Sequence, residues 1–394
     1  MSTAPEEHTG TRIAAHRRLA GLTQRGLADR IPYSYRLLRA VERGERTATP
    51  DLVATVARTL RVDVTALTGQ PYITELQQDR LAGMVRPIRE ALDLYDLGAN
   101  PEMTLPPDRE LVAAAEKLCI LVRATKLHEA AHTLPGVIAQ ITTAAYRSPS
   151  TELWAALAST YRTAHDIAVK LGYYDLSTVA LDRMDWAAER ASDPLLAAVR
   201  QYMRALTYFR EGEYTIGLRL ISAGQQLVPH EDTSISALAV AGQLHLGASI
   251  IAARSRKPST VATHLEQAGE FALRTGEAGH VHYLSFGPTN VGAHDVSAHV
   301  EMGLYDHALT RARNLNPPRD WAMSRVAHIQ VDQARCELET GNHEAAVKSL
   351  SLARKLAPQQ TRYHPGARET IKGLVYTSRR TPGSLDHLAA WVGL

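Results

Sequence analysis

Four glycines sit in one recurring local pattern, and that pattern restricts most of this chain to paired helices. The segments KLGYYDLSTVAL (170–181), REGEYTIGL (210–218), EMGLYDHAL (301–309) and ETGNHEAAV (339–347) each end an apolar helical stretch on a glycine. An aromatic or imidazole follows two residues later, and then a new helical stretch. Glycine enters the left-handed conformation that closes a helix without a Cβ penalty. Gly172, Gly212, Gly303 and Gly341 are 40, 91 and 38 residues apart. The long gap fits two units, with a hidden turn near Arg256 to Pro258. A single helical hairpin is too thin to bury its own apolar stripe, whereas a stack of hairpins buries a continuous core and leaves a concave face. Five or six hairpins are expected from about Arg109 to Pro358, with 366–376 and 384–391 as caps. No alternation of period two appears, so strands are not expected. The fold class is all-α.

The 394 residues exceed what one compact domain usually needs. The expected division is a head at 1–72, a linker helix and Pro-rich break at 73–108, and a helical-repeat body at 109–394. Charge follows the same division. Residues 1–70 hold eleven Arg against seven Asp or Glu, a net of +4, while the remainder is at −1. Positive charge confined to one small segment is the footprint of a nucleic-acid module.

Within the head, Ile13, Ala14, Leu19 and Leu22 mark a first helix ending near Gly21. Thr23 caps a second helix carrying Leu27 and Ala28 inward, which Pro32 ends. Ser34 caps a third, with Leu38 and Val41 inward and Gly44 after its end. Two shorter helices follow at 51–60 and 64–67, stopped by Gly69 and Pro71. The third helix is the length of one that fits the major groove, and it presents Tyr35, Arg36, Arg39 and Ala40 outward. Arginine bonds guanine bidentately, worth ~1–3 kcal/mol of discrimination per pair. Arg17, Arg43 and Arg46 are placed for phosphates, which position the protein without specifying sequence.

The pattern Thr23-Gln24-x-x-Leu27-Ala28, then Ser34, Leu38, Val41, Glu42 and Gly44, resembles the lambda-repressor-like, or XRE, helix-turn-helix family. Pro32-Tyr33 stand where the family usually has a turn glycine and a small apolar residue, and Leu37 fills an often polar position. The resemblance implies a five-helix DNA-binding domain. It implies DNA contacts by Thr23, Gln24, Ser34, Tyr35, Arg36 and Arg39, with Gln24 bracing a phosphate and the first base. The body resembles tetratricopeptide (TPR) repeats. The whole layout is similar to actinobacterial regulators with an XRE head and a TPR body, on FGPTNV (286–291) with His294, VEMG (300–303), LAPQ (356–359) and YHP (363–365). An excess of Arg over Lys, 37 to 7, fits the GC-rich coding of such organisms. The layout also resembles the peptide-sensing RRNPP regulators used in quorum sensing.

An effector site is expected on the body's concave face, lined by Tyr202, Tyr283, Phe286, Thr289, Asn290 and His294. Gly287-Pro288 should interrupt or begin a helix there. An Asn carboxamide both donates and accepts, which suits an extended peptide backbone; Thr289 and Asn290 equally suit the N-cap of the new helix. Trp154, Tyr161, Tyr202, Tyr208 and Tyr283 fall on first helices of hairpins, facing either groove or core.

Catalytic signatures are absent: no GxxxxGK, no GxSxG, no HExxH. Cys119 and Cys336 lack CxxC partners and read as core residues. Of the 17 His, the group His280, His282, His294 and His299 is the densest, but its spacing does not share one helical face. No metal, cofactor or enzymatic activity is expected. No apolar run reaches the ~20 residues of a membrane span, and 1–7 is polar, unlike a signal peptide, so a cytoplasmic protein is expected. The expectation is a homodimeric transcription regulator on a near-palindromic double-stranded operator, with a signalling peptide as effector. The alternatives are a small-molecule effector, or a TPR protein-interaction scaffold tethered to DNA.

Overall fold

The computed structural model describes residues 8–69, 75–377 and 383–393, with 75–82 by backbone alone. The sequence readings on 1–7 and on Pro71 lie outside the described residues. Among those described, the chain is helical without strands; one isolated antiparallel bridge joins Ala278 and Phe286.

The head consists of α1 (Thr9–Leu19), α2 (Gln24–Ala28), α3 (Tyr35–Glu42), α4 (Pro50–Leu60) and α5 (Val64–Thr68). Short polar side chains start four of the five. Thr23, Ser34 and Thr49 each accept an N–H three residues on, and Asp63 accepts that of Thr65. Ile13, Leu27, Leu38, Val41, Leu52, Val56 and Leu67 close one small core. The fourth helix begins earlier than the apolar pattern indicates, because Thr49 caps it and Pro50 takes the first turn.

The segment read as linker and break contributes to the body. Helix α6 (Glu75–Asp93) places Val85, Ile88 and Leu92 in the body's main core. Tyr95 beyond it stacks edge-on to Trp186 at 5.1 Å between ring centres, under the Arg183 guanidinium.

Six hairpins follow. They are α7 (Asp108–Arg123) with α8 (Leu127–Arg147), α9 (Thr151–Leu171) with α10 (Tyr174–Ala191), and α11 (Pro194–Glu211) with α12 (Tyr214–Leu227). Next come α13 (Ile235–Arg254) with α14 (Pro258–Thr275), α15 (Pro288–Glu301) with α16 (Tyr305–Asn314), and α17 (Met323–Glu339) with α18 (His343–Leu356). Helices α19 (Pro358–Tyr363), α20 (Pro365–Thr377) and α21 (Gly383–Val392) cap the stack. The hidden turn falls where expected, with Arg256 left-handed at φ 56°.

First helices form the inner layer of a solenoid whose winding closes on itself. Helix α17 packs against α7, and α19 against α9. Thr125 donates to the Leu356 carbonyl at 3.1 Å, and Lys170 Nζ to Gln360 Oε1 at 2.6 Å. The concave face is therefore pinched shut rather than open.

Helix α13 corrects the reading of apolar runs. An 18-residue window of this 20-residue helix has a mean hydropathy of 1.6, long and apolar enough to cross a membrane, and 72% of that window is buried. A helix apolar on all sides is a core helix when protein surrounds it, and α13 packs against α11, α12, α14 and α15.

Candidate nucleic-acid interface and body interior

Helix α3 packs on α1 and α2 through Leu38 and Val41, leaving its other face outward. Tyr35, Arg36 and Arg39 are exposed, and neither arginine has a carboxylate partner among the described residues. Arg43 and Arg46 are exposed beyond its end, with Arg43 3.5 Å from Glu45. The hydroxyls of Thr23 and Ser34 accept the N–H groups of Gly26 and Leu37 as caps. Solvent-facing Arg18, Arg25 and Arg30 extend the basic surface; lying outside the quoted motif, they were not singled out by sequence.

Arg17 is a correction. It is 6% exposed and takes no part in a phosphate surface. Its Nε and Nη2 donate to the two oxygens of Glu42 at 2.7 and 2.9 Å, and Nη1 donates to the Leu22 carbonyl at 2.7 Å. Hydrogen bonding to Glu42 raises the guanidinium above its usual range. Gln24 Nε2 completes this knot by donating to Glu42 Oε2 at 2.7 Å, so its amide braces the inside of the head. The knot ties α1 and α2 to the last residue of α3 and so sets the angle at which α3 is presented.

The opposite side of the head rests on the body. Asp51 accepts from the Tyr214 hydroxyl at 2.6 Å and from that of Tyr33. Arg58 reaches the Gly212 carbonyl at 2.5 Å and Glu213 at 3.0 Å. Thr9 and Thr47 donate to Glu369 and Glu339. Gly212, left-handed at φ 77°, also allows a close approach: a Cβ there would lie 2.6 Å from that of Ala54. The docking is polar and leaves α3 free.

Residues 13–67 match the helix-turn-helix family model. The head is an XRE-type helix-turn-helix, the DNA-binding element of transcription regulators. No curated protein and no solved structure matches the chain.

In the body, one hydrogen-bonded network holds Tyr202, Asn290 and His294, while Tyr283, Phe286 and Thr289 have other partners. Asn290 is fully buried at the third position of α15. It does not cap that helix, whose N-cap is Gly287 with no side-chain bond. It accepts from Arg325 Nη2 at 2.7 Å and donates to Gln243 Oε1 at 3.0 Å; Gln243 in turn donates to the Tyr202 hydroxyl at 2.9 Å. His294 Nδ1 lies 2.9 Å from the Asn290 carbonyl and 3.2 Å from Arg325 Nη2. Burial, with Arg325 adding to it, pushes the His294 imidazole down to about 3.

Phe286 is a second correction: it is fully buried core, not a groove residue. It fills the space left by Gly242, where a Cβ would come within 2.1 Å of the ring. Gly242→Ala therefore displaces Phe286, and overpacking of this kind costs about 1–3 kcal/mol. A lower Tm in thermal unfolding of the full chain is the expected result; an unchanged one would mean the ring moves without cost.

Thr289 is half-buried, its N–H bonded to Glu277 Oε1 at 2.9 Å. Tyr283 is not on the first helix of a hairpin; it ends a single 3-10 turn, Val281–Tyr283. It lies in the α14–α15 loop, where His282, Tyr283 and Ser285 hold φ values of 40°, 51° and 61°. Left-handed backbone outside glycine costs of order 1–3 kcal/mol per residue and collects at ligand clamps and switches. Trp154 and Tyr161, on α9, are core.

Proposed function

We propose that this protein is an effector-responsive transcription regulator acting on double-stranded DNA in the cytoplasm. The exposed, unpaired Arg36 and Arg39 on α3, within the matched helix-turn-helix, carry this reading. Two heads would bind half-sites of a near-palindromic operator about one helical turn apart, since dimeric helix-turn-helix proteins mirror the two-fold symmetry of their sites. The TPR-like bodies would form the homodimer and fix head spacing. An effector held inside the body would change DNA affinity by binding one curvature of the solenoid better than another.

A signalling peptide, as in the RRNPP regulators the layout resembles, is the first effector reading. A small metabolite is the second, and the closed winding supports it, since Asn290 is at 0% exposure. A ligand that small would sit among Tyr202, Gln243, Asn290 and His294.

Selection from a random duplex pool, followed by gel shift on the enriched sequence, tests the DNA reading. Arg36→Ala with Arg39→Ala should weaken binding to the selected duplex about 100-fold, at ~1–3 kcal/mol per lost bidentate contact. Unchanged affinity, or no enrichment at low salt, would overturn it.

A further inference from the structure

The interior of the body holds more positive than negative charge at one point. Arg123 at the end of α7, Arg162 and Lys170 on α9, and Arg325 on α17 meet where the first and last parts of the winding touch. Asp166, 4.0 Å from Arg162 Nε, faces them from α9, and Asp332 lies further along α17. Among the described residues, these two carboxylates act on the four cations directly, while Glu116 and Asp193 lie nearer the 282–283 segment. Burial, aided by Arg162 and Arg325, pushes the Arg123 guanidinium down to about 10. Burial likewise pushes the Lys170 ammonium down to about 8, despite Asp166. Arg162 is buried and Arg123, Lys170 and Arg325 are half-buried, and charge of one sign drawn away from water is costly unless something pairs it.

Neutral groups currently fill the pairing positions. Arg123 and Arg162 both donate to a single backbone carbonyl, that of Tyr283, Arg162 Nη2 at 3.4 Å and Arg123 Nη1 more closely. Arg123 Nη2 also donates to Ser285 Oγ at 2.5 Å. The Nε atoms of Arg162 and Arg325 are buried with no acceptor. The carbonyl that receives two guanidinium groups belongs to the strained loop, between left-handed His282 and Ser285.

We propose that the body binds the carboxylate of its effector between Arg123 and Arg162, with Arg325 facing it, in the place the Tyr283 carbonyl now holds. The inference rests on the reading of the body as a sensor and names the chemistry of what it senses. A carboxylate supplies two planar acceptor oxygens that match guanidinium forks, which a lone carbonyl cannot. Its arrival would release the 282–285 segment from the arginines and let that strained backbone relax. That loop leads directly into α15, which carries Asn290 and His294, so the change would reach the polar network around them. A peptide C-terminus and a free organic acid offer the same group.

Thermal unfolding of the full chain at fixed ionic strength distinguishes the sources. One arm uses a random pentapeptide pool with free C-termini against the same pool amidated. The other uses a panel of mono- and dicarboxylic acids against their methyl esters. Orthophosphate is added separately. The expected result is a Tm rise of several degrees in one carboxylate arm, absent from its neutral counterpart, and abolished in Arg162→Gln and in Arg123→Gln. Without any probe, neither variant should melt below the wild type, because each relieves like-charge crowding; a purely structural arginine would lower the Tm. No carboxylate-dependent shift, a shift that survives both substitutions, or a response to orthophosphate alone would overturn the assignment. Retained binding of both variants to the selected duplex would show that such a failure leaves the regulator reading standing.

Discussion

Glu42→Ala should unfold the head and abolish DNA binding while the body stays folded. Glu42 and Arg17 are almost fully buried, with side-chain exposures of 3% and 8%, and each satisfies the other twice. Removing the carboxylate leaves a buried guanidinium with one carbonyl acceptor, and breaking a buried pair in this way costs about 3–5 kcal/mol. A domain of roughly 60 residues has little more than that to lose. The body has its own larger core and meets the head through a few polar contacts. Hydrogen exchange on the full-length variant should show lost protection in α1–α5 with the hairpins unchanged. Replacing both partners together, Arg17→Met with Glu42→Leu, should restore most of the stability, because two apolar groups leave no orphaned charge. Restored folding with weakened DNA affinity would further show that the knot also sets the presentation of α3. If Glu42→Ala is as stable as the wild type, the pair is not a tie between the three helices.

What the sequence made legible follows from which residues have few alternatives. Gly172, Gly212, Gly303 and Gly341 all adopt positive φ, between 75° and 84°, just after a helix. Few residues other than glycine tolerate that conformation, so its position marks the turn. The two remaining hairpin turns use Thr125 at φ 63° and Arg256 at φ 56°, and neither residue type carries such a mark; only the spacing indicated the second. Thr23 and Ser34 were readable as caps because the apolar periodicity begins directly after them. Arg17 misled because arginine is usually exposed and its partner lies 25 residues away. Phe286 beside Gly287-Pro288 looked like a ligand-facing aromatic, yet its place is set by the missing side chain of Gly242, which no local pattern reveals. The cationic interior was the least legible part. Arg123, Arg162 and Arg325 are far apart in sequence and converge only because the solenoid closes.

Acid should destabilise the body well above the pH at which carboxylates titrate. Burial holds His165 down to about 4 and His294 to about 3, and both are nearly inaccessible, at 5% and 6% exposure. His245, His264, His282, His328 and His364 are depressed in the same direction, also chiefly by burial, though they retain more contact with solvent. In the unfolded chain these imidazoles take up protons near 6.5. Below that pH the unfolded state binds more protons than the folded one, so stability falls as pH falls. The loss begins near 6.5, is absent above it, and continues until the folded-state values near 3 to 4 are reached. At pH 5.5 each fully buried imidazole removes about 1.4 kcal/mol, so His165 and His294 together remove about 3 kcal/mol. The less buried five add smaller amounts. His299 acts oppositely, since its hydrogen bond to Asp295 holds it above its usual range, but it is one group against seven. Urea unfolding at pH 7.5, 6.5 and 5.5 should therefore show a midpoint that changes little across the first interval and drops sharply across the second. His165→Asn, which keeps a donor for the Ser177 carbonyl and cannot be charged, should flatten the second drop by one group's share. A midpoint independent of pH down to 5.5 would mean that these imidazoles are solvated in solution, and that the body's interior is open where the structure has it closed.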